Sequence, residues 1–302
     1  MAAIVIAAAY VLSLAGDLHF MLDNLSSFKV HFALCFIGLW IMLALLRQKT
    51  WTALPIVGLI CCLAEILPWH VTLQNEDAVS VGVTASVFAS NLSPNNTDLH
   101  TLAGVIEKSA PDIVGLVELT PASRSGISTT LDAYPYRFEA PDNSPWGIGL
   151  YSRFPIVDAQ LVRESEGEPP FIVATVAFES SVMTVVVLHP YPPRSAKLTA
   201  RRNSTLGAVA ALASDDDRPV LVMGDLNVAL WSRVYRRFEA ESRLVNSRRG
   251  YGVTGTWPPS KILGVPIDHV LVSRDIEVLD FRVMGFVGSD HLPVYASIKL
   301  PL

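Results

Sequence analysis

The chain has 302 residues, 51% of them hydrophobic, and a formal net charge of −5. That length accommodates one large domain and a further segment, and the negative balance argues against a broadly basic nucleic-acid binder, which needs positive charge to displace counterions. Cys35, Cys61 and Cys62 are the three cysteines and all lie in the first seventy residues, so the remainder carries no thiol chemistry, disulfide or cysteine metal ligand.

Those first seventy residues hold only six acidic or basic side chains: Asp17, Asp23, Lys29, Arg47, Lys49 and Glu65. Residues 30–46 contain none, and residues 51–69 contain one acid. Each stretch approaches what is needed to cross about 30 Å of hydrocarbon at about 1.5 Å per residue. The opening MAAIVIAAAYVLSLAG is apolar but short; it reads either as a span extended to residue 21 or as a signal peptide that lacks a basic start. The expectation is a transmembrane anchor over 1–70, with two to three spans at about 1–21, 30–46 and 51–69, then a linker at 71–78. Arg47 and Lys49 in the RQKT turn place that turn in the cytoplasm. With three spans, the N-terminus is then cytoplasmic and everything after Trp69 extracytoplasmic, in a multi-pass cell-membrane protein. Glu65, one turn before Trp69, reads as a residue near the outer interface rather than a buried relay.

From residue 79 to 302 the pattern is that of a folded domain. Strands are predicted at 79–90, 113–117, 147–152, 171–178, 182–188, 220–223, 269–272 and 294–300, and helices at 98–109 (with Asn96 and Thr97 as caps) and 198–213. Many strands with few helices point to an α/β sandwich on two sheets rather than a doubly wound sheet.

The informative residues fall at strand ends: Asn91, Glu118, His189, Asp225 with Asn227, Asp268 with His269, and Ser289 with Asp290 and His291. Any one alone reads as a turn or cap. Six strand ends that gather at one end of a sandwich would form a polar cleft. A carboxylate such as Glu118 suits a hard divalent cation, and Asn91 can add a carbonyl oxygen. Imidazoles serve as base, acid or phosphate donor near neutrality. Asn227 can hold a phosphoryl oxygen or the attacking water. Asp290 beside His291 suggests a dyad; neighbours on a strand point to opposite faces, so the pair forms only if the local turn permits it, and the alternative is that Asp290 reaches another histidine. The set suits metal-assisted attack of water on a phosphate ester.

With SN at 90–91, VELT at 117–120, LHP at 188–190, GDLN at 224–227, TW at 256–257, DH at 268–269 and SDHLP at 289–293, in that order, the chain resembles the endonuclease/exonuclease/phosphatase superfamily, in its membrane-anchored branch. The resemblance implies a four-layer αββα sandwich, two mixed β-sheets flanked by helices. It implies Mg²⁺ or Mn²⁺ as cofactor, with Ca²⁺ a further option. It makes Glu118 the main metal ligand with Asn91 close by, Asp225 and Asn227 the groups that orient water and phosphate, and His189 and His291 the phosphate contacts. His291 is also described as the base in such families, and Asp290 as its partner or a second-site metal ligand. Asp268 and Ser289 would support the cleft, and His269 could point into the core. No residue clearly matches the tyrosine of the DNA-repair members; Tyr151 and Tyr191 are the candidates.

Blander readings stand beside these. Asp225 with Asn227 could be an Asx turn, and Trp257 could be packing. The arginines at 233, 236, 237, 243, 248 and 249 could form a solvated helix face balanced by Glu239 and Glu241. Alternatively Arg233, Arg236 and Arg237 could bind anionic substrate, since guanidinium suits phosphate. The expected function is a membrane-anchored metal-dependent phosphoesterase acting on a phosphorylated, lipid-linked substrate. The rivals are an extracytoplasmic nuclease, which the net charge disfavours, and a non-catalytic phosphate-ligand receptor. The sequence implies no protein partner.

Overall fold

The computed structural model describes residues 2–48, 51–71, 82–178 and 181–301. The expected linker therefore lies outside the described residues except at Val71, as do the first three residues of the first expected strand. In chain order the strands are β1 (Gly82–Asn91), β2 (Ile113–Val117), β3 (Tyr136–Ala140), β4 (Ile148–Ser152), β5 (Ile156–Val162), β6 (Phe171–Ala177), β7 (Val182–Leu188), β8 (Val220–Asp225), β9 (Val245–Asn246), β10 (Asp268–Val272), β11 (Glu277–Val283) and β12 (Val294–Pro301). They form two six-stranded mixed sheets, β11-β12-β1-β2-β4-β3 and β5-β6-β7-β8-β10-β9. The strands that the hydrophobic pattern did not reveal are β3, β5, β9 and β11, and every one is at a sheet edge. An edge strand is half solvated and polar, so its apolar signal is diluted.

The central strands bury both faces, and alternation assigns the faces. Val87, Ala89, Val185, Val187, Leu221 and Met223 point between the sheets. Phe88, Val114 and Leu116 point outward under α5 (Leu99–Ser109), α6 (Pro121–Gly126) and α7 (Ser128–Leu131). Val186, Leu188 and Val222 point outward under α8 (Ala196–Asp215) and α9 (Arg233–Ser242). This is the four-layer αββα sandwich. The sheets touch where Gly115 faces Met223: a Cβ there would lie 2.8 Å from the methionine Cε. The α5 cap is Asp98, which accepts the Thr101 N–H at 3.1 Å; Asn96 instead accepts the Asp98 N–H in a turn just ahead of it.

The N-terminal segment forms α1 (Ala2–Leu12), α2 (Phe20–Leu25), α3 (Lys29–Leu45) and α4 (Ala53–Ile66). Two helical stretches, 20–45 and 53–70, are long and apolar enough to cross a membrane. The first expected span is shorter than predicted: α1 has 11 residues, about 16 Å against about 30 Å of hydrocarbon. The bundle shares a core with the second sheet's helices, Phe36, Cys62, Ile66 and Trp69 joining Leu206, Val209, Trp231 and Tyr235. Polar contacts fix the join: Trp231 Nε1 donates to the Glu65 carbonyl at 3.1 Å, and the Gly250 and Gly252 amides donate to the Trp69 carbonyl at 3.0 and 2.9 Å. Glu65 is paired with Lys29 at 2.8 Å near this join. Leu34, Ile37, Ile41 and Leu45 on α3, with Ile56, Val57 and Ile60 on α4, form an exposed apolar surface.

Candidate active site

The register of two parallel strand pairs builds the cleft. Asn91 at the end of β1 lies opposite Val117 of β2, so Glu118 follows at the same edge. Leu188 of β7 lies opposite Gly224 of β8, so His189 and Asp225 emerge side by side. β10 runs antiparallel to β8 and sets Asp268 directly across from Asp225. Ser289 ties the loop before β12 to this edge, donating to the Asn91 carbonyl at 2.8 Å and accepting the His291 amide at 3.1 Å. Thr256, of the TW pair, accepts the Ile267 and Asp268 amides at 3.2 and 3.3 Å.

Two turns use costly backbone. Glu118 and Asn227 are non-glycine residues at φ +56° and +51°, a left-handed region that such residues occupy at a cost and that clusters at functional sites. Gly224 sits at φ +137°, where a Cβ would be 2.1 Å from the Leu188 carbonyl oxygen; only glycine fits.

The side chains converge. Asn91 Nδ2 donates to Glu118 Oε1 at 2.9 Å and to Asp225 Oδ2 at 3.2 Å. His189 Nε2 lies 3.6 Å from Glu118 Oε1 and 3.4 Å from Asp225 Oδ2, and His291 Nε2 lies 3.7 Å from the same Asp225 oxygen. His189 Nδ1 faces the Pro145 carbonyl at 3.2 Å and His291 Nδ1 faces Asp268 Oδ2 at 2.9 Å. Both rings are therefore held by one nitrogen and present the other to the cleft. Asp225 Oδ1 accepts the Asn227 amide at 2.9 Å, while Asn227 Nδ2 donates to the Pro190 carbonyl at 3.0 Å.

Burial and charge act against each other here. Burial raises the Glu118 carboxyl, with His189 and Asn91 opposing it. Burial would raise Asp225 too, but His291 and His189 hold it well below the usual carboxylate range. Burial alone would lower both histidines; Asp225 outweighs it at His189, and Asp268 followed by Asp225 outweighs it at His291, so both are raised. Asp268 itself is raised by burial, against the pull of His291.

Most expected residues meet here, with corrections. Asp290 is exposed and makes no hydrogen bond or ion pair among the described residues; it reaches His291 through charge alone. The imidazole's partner is Asp268, 23 residues away in sequence; His291 is buried against it while Asp290 is exposed. Asn91 turns its amide nitrogen, not its carbonyl oxygen, toward the carboxylates; the carbonyl oxygen accepts the Ser93 amide at 3.0 Å. His269 points into the core, 3.0 Å from Asn246 Nδ2 and 2.8 Å from the Val228 carbonyl, and burial pushes it down to about 3. The three arginines are engaged elsewhere: Arg233 with Asp17 and the Leu14 carbonyl, Arg236 with the Trp231 carbonyl, Arg237 with Glu241. Tyr151 donates to Glu139 and Tyr191 to the Gly167 carbonyl, so neither bonds to the cluster.

The motif in the second sheet is also held from outside by two buried arginines that the sequence did not single out for this. Arg202 NH1 donates to the Asn227 carbonyl at 2.8 Å, and Arg248 NH2 to the Asp268 carbonyl at 3.3 Å. Arg248 is fully buried rather than part of a solvated face, and burial lowers it to about 10. Trp146, just ahead of the strand expected at 147–152, packs against His189 with ring centroids 5.5 Å apart. Trp257 sits 6.4 Å from His291 and is 42% exposed. Nothing in hydrophobic spacing distinguishes such residues from ordinary loop and helix positions.

The model of the endonuclease/exonuclease/phosphatase family matches residues 79–291, most of the chain. The chain belongs to that family. Its members are metal-dependent phosphoester hydrolases, and this chain is an enzyme of the phosphoester-hydrolase class. Solved structures agree on the fold. A TDP2 from D. rerio complexed with a single-strand DNA product is 16% identical, with a TM-score of 0.60 over 71% of this chain and 98% of that one. A family protein from Beutenbergia cavernae is 20% identical, with a TM-score of 0.57 over 72% of each chain. Sphingomyelinase C from Streptomyces griseocarneus is 18% identical, with a TM-score of 0.53 over 71% and 99%. At such identities the likeness is one of fold alone. A search of curated proteins found no match.

The donors fit a divalent cation. Carboxylate oxygens are what hard cations select, and Glu118 presents a largely buried carboxylate 3.6 Å from His189 at this edge. Asp225, Asp268 and His291 offer ligand atoms within 4.8 Å of one another, close enough to converge on an ion.

Proposed function

We propose that this protein is a membrane-anchored, divalent-metal-dependent phosphoesterase that hydrolyses a lipid or lipid-linked phosphate at the outer membrane face. The observation that carries the reading is the meeting of two carboxylates and two imidazoles, Glu118, Asp225, His189 and His291, at one end of both sheets. Glu118 and Asp225 would hold Mg²⁺ or Mn²⁺, which when bound polarises a phosphate oxygen and offsets its charge. Asp225 has one oxygen fixed by the Asn227 amide, while the other accepts from Asn91 and faces both imidazoles in the cleft, a placement suited to orienting water and taking its proton. His189 and His291, each anchored through Nδ1, present Nε2 to phosphate oxygens, and the Asp268 hydrogen bond keeps His291 in that orientation.

The lipid assignment draws on the loop beside the cleft. Trp257, Ile262 and Leu263 are 42%, 71% and 56% exposed. His31, in the first turn of α3, donates to the Leu263 carbonyl at 2.9 Å. On this reading the loop would lie where α3 enters the bilayer, its exposed apolar side chains beside the cleft. The Arg47–Lys49 turn would be cytoplasmic and the domain outside.

The test is phosphate release from a lipid pyrophosphate by full-length protein in detergent, with Mg²⁺ or Mn²⁺ and with chelator, and with plasmid DNA in parallel. Metal-dependent release that disappears in His291→Ala, with DNA intact, is expected. DNA nicking without lipid turnover would replace the lipid reading with the nuclease, and turnover unaffected by chelator would overturn the metal.

A further inference from the structure

Asp23 and Asn24 are neighbours on α2, within the N-terminal bundle, and both reach into the catalytic domain. Asp23 is 3% exposed. Its two carboxylate oxygens accept the Ser232 hydroxyl at 2.8 and 2.7 Å, one accepts the Arg233 amide at 3.0 Å, and the other lies 3.5 Å from Arg202 NH2. Arg202, on α8, is 1% exposed and donates its other terminal nitrogen to the Asn227 carbonyl at 2.8 Å. Asn24 Nδ2 donates to the Pro193 carbonyl at 2.9 Å, in the loop that begins at His189. The two loops are tied to each other where Asn227 Nδ2 donates to the Pro190 carbonyl.

We infer that the bundle is a working part of the catalytic centre: Asp23, through Arg202 and Ser232, and Asn24, through Pro193, position the loops that carry Asn227 and His189. A buried ion pair is weak evidence for stability, because apolar packing of the same volume does as well. What this pair supplies is direction. Asn227 sits at φ +51°, a conformation that a free loop would leave, and Arg202 fixes the carbonyl that conformation presents. Ser232 is the N-cap of α9, so Asp23 also holds the far end of the same loop. Severing the pair on the bundle side leaves Arg202 buried without its counter-charge, free to drag the Asn227 carbonyl with it. Asp23, Asn24 and Arg202 are positioning residues. This inference rests on the proposed activity only for its catalytic consequence; the positioning is a property of the loops themselves.

The experiment is hydrogen exchange on full-length protein in detergent, without substrate, read on peptides spanning 188–193 and 225–232. Asp23→Ala is expected to speed exchange about tenfold in 225–232, as loss of a charged hydrogen-bond partner implies, with β1 and β2 peptides unchanged. Asp23→Glu, which keeps the carboxylate, should restore most of the protection. Asn24→Ala loosens 188–193 instead, and remains readable should Asp23→Ala not fold. Arg249→Ala, which removes a guanidinium 4.6 Å over Trp69 at another part of the same join, should move neither loop. In the hydrolysis assay Asp23→Ala should lower kcat about tenfold at unchanged KM. Unchanged exchange in both loops for folded Asp23→Ala or Asn24→Ala overturns the inference, as does equal loosening by Arg249→Ala. Wild-type protein that hydrolyses nothing while its loops respond as described would overturn the activity and leave the positioning standing.

Discussion

The two sheets deliver catalytic groups by the same device and secure them differently. Each has a central parallel pair, β1 with β2 and β7 with β8, whose ends present polar residues side by side. In the first sheet backbone register sets Asn91 and Glu118 at one edge, Ser289 and the Ser93 amide donate to Asn91, and Asn91 in turn donates to Glu118. In the second, the turns that follow β8 and precede β10 are clamped from behind by the buried cations Arg202 and Arg248, and the first of these is coupled to the N-terminal bundle through Asp23. Register places a residue along a strand; it does not fix a turn beyond the strand's end. Both halves carry a left-handed residue just past a strand, Glu118 in the first and Asn227 in the second, and the second half adds charged braces behind its turns.

Breaking the chemistry of the second half should have the largest effect. Asp225→Asn keeps the volume and removes the oxygen that both imidazoles approach, and is expected to lower kcat by about 10²–10⁴; a loss under tenfold in the hydrolysis assay would move the water-orienting role elsewhere. Breaking the contact between the halves should cost stability rather than chemistry. Met223→Ala opens a cavity opposite Gly115, with an expected loss of about 2–5 kcal/mol in denaturant unfolding; a cost below about 1 kcal/mol would mean that the sheets close over the gap.

The smallest effect sharpens the comparison at the end of the second sheet away from the cleft. Asp216 accepts from Arg218 and from Thr184 of β7, and Arg218 holds its carboxyl down at about 2. Its folded pKa lies below its unfolded value near 3.8, so the stabilisation is complete above that value and is lost as pH falls through about 2. Asp216→Asn should therefore cost about 1 kcal/mol at pH 6, after allowance for solvent screening, and the gap from wild type should close in acid. A gap that widens below pH 4 would contradict the assignment.

Much of the layout was legible because strand ends are local. An apolar run that stops at Glu118 or at GDLN announces where a side chain leaves the core, and the central strands fell close to their expected bounds. The edge strands β3, β5, β9 and β11 stayed hidden, since water on one side removes the pattern that marks a strand. The Asp268–His291 pair stayed hidden for another reason. Sequence adjacency favoured Asp290, whereas pairing across a fold depends on which strands neighbour each other. Arg202 and Arg248 carried no signal, because a buried arginine on a helix or turn has the same sequence surroundings as a solvated one. The short α1 read as a span from its apolarity alone; its length, with the turn after Leu12, became visible only in the fold.

The most direct test of the centre compares wild type, Asp268→Asn and Asp290→Asn side by side, following Mg²⁺-dependent phosphate release from a lipid pyrophosphate by full-length protein in detergent. The account predicts turnover in wild type, a loss of about 10²-fold or more in Asp268→Asn as His291 loses its partner, and a rate within about twofold of wild type in Asp290→Asn, as for an exposed surface position. A loss in Asp290→Asn with Asp268→Asn intact would contradict it.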